Sequence, residues 1–133
     1  MKINKQAAFD TAVRGLNAQR AFSSYETNPE SCRYRGSNGD KCAVGFLIPD
    51  DRYTPEIEGD NAGTDHVCSA ISDEFVSGRF HFGDGAFLQQ MQRAIHDGPC
   101  ERLEGEWDQR AFEEAVADFA KTNYLINPLT GEK

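Results

Sequence analysis

The sequence predicts an α+β domain: a small antiparallel β-hairpin or sheet covered by about four α-helices. Three observations carry that expectation. Apolar residues recur at helical spacing in four separate stretches. The stretch CRYRGSNGDKCAVGFLI (32–48) alternates, turns at Asn38-Gly39 and then becomes continuously apolar, as a hairpin with one buried strand would. The chain's 133 residues suffice for a single core, and no repeat, low-complexity tract or linker divides it, so 1–133 is read as one globular domain.

The first helix starts at Asn4, a good N-cap, with Phe9, Ala12, Val13 and Leu16 on one face and Gly15 weakening its last turn. Asp10 and Arg14 stand four residues apart, the spacing of a helical ion pair. Residues 21–31 are polar and contain Asn28-Pro29, which reads as a loop. After the hairpin, PDDRYTPEIEGDNAG (49–63) is an acidic surface loop stiffened by Pro49 and Pro55. Thr64 caps a second helix carrying Val67, Ala70, Ile71 and Phe75 and ending at Gly78. FHF (80–82) is a short segment that could add a strand. Asp84 caps a third helix, with Phe87, Leu88, Met91 and Ile95 in a stripe, closed by Gly98-Pro99. Trp107, Ala111, Phe112, Ala115, Val116 and Phe119 mark the clearest amphipathic helix, running to about Asn123. The tail YLINPLTGEK is read as a packed stub with a frayed end.

Charge narrows the function. With 14 basic against 22 acidic residues the net charge is −8, which argues against direct nucleic-acid binding or an anionic membrane surface and favours a partner with a basic face. The longest apolar run, Cys42 to Ile48, is too short to cross a bilayer. MKINKQAAFDTAVRG lacks the apolar region of a signal peptide, so a reducing cytoplasm is expected, with all four cysteines as thiols.

The cysteines at 32 and 42 flank the turn. A two-residue turn would pair 32 with 45 and put the thiols on opposite faces. A three-residue turn would pair 34 with 42 and leave the cysteines diagonal, roughly 7–8 Å apart and beyond disulfide reach. No C-x₂₋₄-C knuckle suggests zinc; the close His–Cys pairs are His66 with Cys68, and His96 with Cys100, the second divided by Gly98-Pro99. Buried thiols are therefore expected, with no cofactor, metal or catalytic residue. The inventory of Cys, His and carboxylates (Asp50, Asp51, Glu56, Glu58, Asp60, Asp65) permits a cysteine- or metal-dependent enzyme, but no spacing signals one, and the acidic loop matches no EF-hand.

Recognition is the stronger reading. Arg33, Tyr34 and Arg35 form a cationic–aromatic cluster facing the acidic loop of Asp50, Asp51, Tyr53, Glu56 and Glu58. The last helix adds Glu113 and Glu114, within a run from 101 to 120 that holds seven carboxylates and two arginines. These ten residues are the expected partner-binding set.

The same stretch resembles a pattern found in small accessory proteins of phages and prophages. Its residues here are Cys32, Tyr34-Arg35, Gly39, Lys41-Cys42-Ala43, Gly45, Leu47 to Asp50 and Tyr53 through Gly59. FLQQMQRAIHD (87–97) looks like the helix that follows in such proteins. The resemblance covers about a third of the chain and brings no reaction or catalytic residue with it. It implies a phage or mobile-element product acting in bacterial cytoplasm. Together with the charge, it leads to an expected inhibitor or modulator of a host machine: CRISPR, restriction or transcription. A virion structural component is the other binding role considered.

Overall fold

A computed structural model of the chain describes residues 2–25, 28–36, 39–77 and 82–132. The expected α+β architecture is not what forms; the protein is helical. Its long elements are α1 (Lys5–Gln19), α3 (Phe82–Gln92) and α5 (Gln109–Thr122), with the shorter α2 (Asp65–Cys68) and α4 (Gly98–Arg102). Among the described residues, paired strands are limited to two short ladders that build no layer. β1 (Lys2–Ile3) pairs antiparallel with β4 (Val76–Ser77), and β2 (Ser24–Tyr25) pairs irregularly with β3 (Asn28–Cys32).

α1 begins as its cap residue dictates: the Asn4 side chain accepts the Ala7 N–H at 3.1 Å. It buries Ala8, Phe9, Ala12, Val13 and Leu16, and runs past Gly15 to Gln19. Gly15 is there for contact rather than termination, because a Cβ at that position would stand 2.5 Å from the Phe46 ring. Asp10 bonds Gln6 at 2.8 Å. The same Gln6 amide grips the tail, its Nε2 donating also to the Ile126 carbonyl and its oxygen accepting the Ile126 N–H, both at 2.9 Å. The stub is thus tied to α1, with Leu125 buried.

The hairpin fails for a local reason. An isolated bridge, Arg35 to Lys41, lies in the register that would set 34 opposite 42, but KCAVGFLI does not continue as a strand. Val44–Leu47 coils into a 3₁₀ turn. A run buried on every side must satisfy its own backbone, and a helical turn with side-chain help does so. The Val44 N–H goes to the Gln92 side chain at 2.8 Å. A Cβ at Gly45 would lie 2.2 Å from the Tyr34 carbonyl oxygen, so the turn seats directly on the preceding segment. Ser37 and Asn38, where the turn was expected, lie outside the described residues, as does the side chain of Cys32.

The second helix is also shorter than its apolar spacing predicts. Thr64 does cap it, but the Ser69 hydroxyl donates back to the Asp65 carbonyl at 2.7 Å, and the Ser72 N–H leaves for Leu47 O at 2.9 Å. Arg52 then pins this exit, donating to the Ile71 carbonyl at 2.7 Å and to both oxygens of Asp73 at 3.1 Å. Gly78 and the first two residues of FHF are outside the described residues, as is the side chain of Asp84.

Gly98-Pro99 does not close the third helix. Residues Arg93–Asp97 form a π turn, and the helix resumes as α4. The Gly98 N–H reaches the Arg93 carbonyl five residues back, so the next position can lack a donor and Pro99 fits without loss. Position 98 must be small, since a Cβ would lie 2.8 Å from that same carbonyl. α5 is capped by Asp108, which accepts the Ala111 N–H at 3.0 Å, and it buries Phe112, Val116, Phe119 and Ala120.

Two aromatic chains tie these elements together. Phe9, Phe119 and Phe87 stand 5.4 and 5.7 Å apart in sequence, joining α1, α5 and α3. Phe112, Trp107, Phe22 and His96 follow at 4.8, 5.0 and 5.3 Å. Among the described residues, no helix is long and apolar enough to cross a membrane.

Candidate functional site

The residues of the 32–62 stretch converge on one carboxylate. Glu58 accepts the backbone N–H groups of Tyr34 at 3.0 Å and Arg35 at 3.1 Å, and the Tyr53 hydroxyl at 2.6 Å. Arg33 Nε stands 3.7 Å from the Glu58 carboxylate, and the Glu58 side chain is only 7% exposed. The Tyr34 hydroxyl donates to the Asp60 carbonyl, closing the loop on itself. Arg35 lies over the Tyr53 ring, 4.4 Å from the centroid, while its guanidinium donates to the Ile48 carbonyl at 3.0 Å and to Asp50 at 2.8 Å. A buried carboxylate held by several donors is a brace.

Half of the expected partner-binding set therefore points inward. Tyr34 is buried, and Arg33, Arg35, Tyr53 and Glu58 are largely covered by one another. Asp50, Asp51, Glu56, Glu113 and Glu114 are exposed. Of these, Asp50 holds Arg35 and Glu114 holds Arg110 at 3.4 Å, a helical surface pair. Glu56 and Asp51 sit on the loop, away from α5 in sequence.

Burial lifts two of the thiols, Cys42 and Cys68, out of the reactive range. Cys42 is fully buried, and desolvation, then the nearby charge of Asp97, push it well above an ordinary thiol. Burial, with Asp65 second, pushes Cys68 up to about 11. A nucleophilic cysteine needs the opposite shift. His96 is buried with both ring nitrogens engaged: Nε2 accepts the Ser23 N–H at 3.0 Å, so the proton sits on Nδ1, bonded to Asp97 at 2.9 Å. Asp97 also accepts from Gln92 at 2.7 Å, completing a chain from Val44 through the π turn to Ser23. The exposed His66 bonds Asp60 at 2.8 Å. Among the described residues, no group of three His, Cys, Asp or Glu side chains is placed to hold a metal ion. His81 lies outside them.

Two of the concavities adjoin these residues. A polar cleft of about 200 Å³ lies beside the brace, between Arg33, Asp60 and Asn61 on one side and Gln89, Gln92 and Asp97 on the other. A larger trough of about 580 Å³ runs between α3–α4 and α5. Sequence reasoning found the acidic wall of that trough but missed the opposite wall, Arg93 and Arg102. Reading Gly98-Pro99 as a stop removed α4 from the picture; the helical spacing of Gln90, Ala94 and Arg102 across it was the available signal.

No family model, curated protein or solved structure matches the chain.

Proposed function

We propose that this chain is a phage-type accessory protein that works by binding a host protein or complex with a basic surface, as an inhibitor or modulator of a defence or transcription machine. One observation carries the reading. Among the described residues, Glu58 and His96 are spent on internal bonds and Cys42 is buried, whereas the carboxylates of α5 and of the 50–56 loop stand in solvent. An exposed field of one sign speeds encounter with an oppositely charged partner and selects against acidic ones. The phage origin and the bacterial cytoplasm rest on the sequence resemblance.

The test is retention of a specific protein from bacterial host lysate by immobilised chain, at low and high salt. Retention at low salt that weakens at high salt, and that falls with Glu113→Lys/Glu114→Lys, is expected. Failure to retain any specific host protein at either salt removes the reading.

A further inference from the structure

The trough between α3–α4 and α5 is open along both walls. α5 runs back along its partner, so that Phe87 near the start of one meets Phe119 near the end of the other at 5.7 Å. Their small side chains keep the gap open: Ala94 on one arm, Ala111 and Ala115 on the other, with the edge of Phe119 between them. From Ala111 to Thr122 the lining spans roughly three helical turns, about 16 Å at 1.5 Å per residue. Alanines four apart are what lets another helix approach closely.

Its walls carry opposite charge. The α3–α4 wall presents Arg93, which stands 3.7 Å from Glu101, and Arg102; the α5 wall presents Glu114, which stands 3.4 Å from Arg110, and Asp118; all four lining residues are exposed. A helix lying in the trough would meet cations along one edge and anions along the other, which fixes its direction as well as its identity.

The end of α5 supplies a second, independent observation. The helix stops in a Schellman turn: the Leu125 N–H reaches back to the Ala120 carbonyl at 2.8 Å, and Tyr124 takes the left-handed conformation, with φ 57°. Glycine suits that position, and a tyrosine there is strained. The ring gains nothing from the fold in return, since it is 83% exposed. Tyr124 directly follows Thr122 and Asn123, which line one end of the trough. Ile126, 46% exposed, is the other large apolar side chain left in solvent among the described residues. An aromatic held in strain and in water, one residue beyond the lining of the trough, has the composition of a binding anchor.

We infer that the trough seats one amphipathic helix of the partner, basic along its α5 edge and acidic along its α4 edge, with Tyr124 closing over its end. The inference deepens the protein-binding reading and rests on it. It names where the partner docks and what chemistry the docking segment has.

The test uses a helix-stapled peptide with an apolar face, lysines along one edge and glutamates along the other, and a second peptide with the two edges exchanged. Each is titrated into the isotope-labelled full chain and followed by NMR. The peptide of matching handedness is expected to shift the amides of Ala94, Ala111, Ala115 and Thr122, about tenfold more tightly than its exchanged twin. Glu114→Lys/Asp118→Lys, at exposed positions, should weaken that preference. Tyr124→Gly should lower affinity about tenfold while leaving the unfolding midpoint unchanged or higher, an outcome no purely structural role produces.

Equal affinity for the two peptides, shifts centred on 33–62, no shifts at all, or unaltered binding by Tyr124→Gly would each overturn the inference. So would self-association of the chain through these residues in sedimentation. Retention of a host protein equally by wild type and Tyr124→Gly would sink the trough and leave the protein-binding reading intact. Absence of any retained host protein would remove that reading, while the peptides still judge the trough.

Discussion

Glu58 shows how a residue chosen from sequence for its charge turns out to matter for its position. Its carboxylate closes the 33–35 segment onto the 53–60 loop through two backbone donors and one phenol. Tyr53→Phe deletes one of these bonds and keeps the ring beneath Arg35. A loss of about 1–2 kcal/mol in urea unfolding is expected, with no change in partner retention. The alkaline limb of stability reads the same interior. Burial raises Tyr53 to about 12 and Cys68 to about 11, and lifts Cys42 and Tyr34 further. Each group holds its proton more tightly folded than unfolded, so its contribution is intact below its ordinary value, 9.0 for a thiol and 10.0 for a phenol, and is lost as pH rises through the folded one. The urea midpoint should hold to about pH 9 and fall from there to 12, with a shallower fall between 9 and 11 in Cys68→Ala. A midpoint flat through pH 11 would contradict the buried thiols.

Among the elements, α1 was legible from its side-chain cap at Asn4 and its apolar stripe, and α5 from its apolar stripe alone, its Asp108 cap showing only in the structure. What misled were glycines and prolines read as local punctuation. Gly15, Gly45 and Gly98 mark places where another group comes too close for a Cβ: the Phe46 ring, the Tyr34 carbonyl and the Arg93 carbonyl. Those approaches are tertiary, and a single sequence does not display them. KCAVGFLI has the composition of a buried strand, yet a buried 3₁₀ turn has the same composition, and the choice was made by the side chain of Gln92, far off in the chain. Gly15→Ala separates the two readings of that glycine. In an open helix the change would stabilise by about 1 kcal/mol. Against the Phe46 ring it is expected to destabilise by roughly 1–3 kcal/mol in thermal or urea unfolding.

At the scale of the whole molecule, part of the pattern behind the sequence resemblance lies inside, while Asp50, Glu56 and Gly59 from the same pattern are exposed. Tyr34, Arg35, Cys42, Gly45 and Glu58 are internal parts, and that part of the pattern therefore specifies a fold more directly than it specifies a task. The expected sheet was wrong, but the expected division was partly visible in the sequence: apolar thiols inside, carboxylates of α5 outside. The arginine wall of the trough and the exposed Tyr124 were not, since neither belongs to a motif; the wall depends on how α4 continues through the π turn, and Tyr124 on the turn that ends α5. If the 32–62 stretch is an interior brace, its backbone opens only when the molecule unfolds. Amide hydrogen exchange at Tyr34 and Arg35, both donated to Glu58, and at Val44, donated to Gln92, measures this directly. Exchange as slow as that of Val13 and Leu16 in the middle of α1 is expected; exchange as fast as that of an exposed loop amide such as Asp51 would contradict the brace and return those residues to the surface.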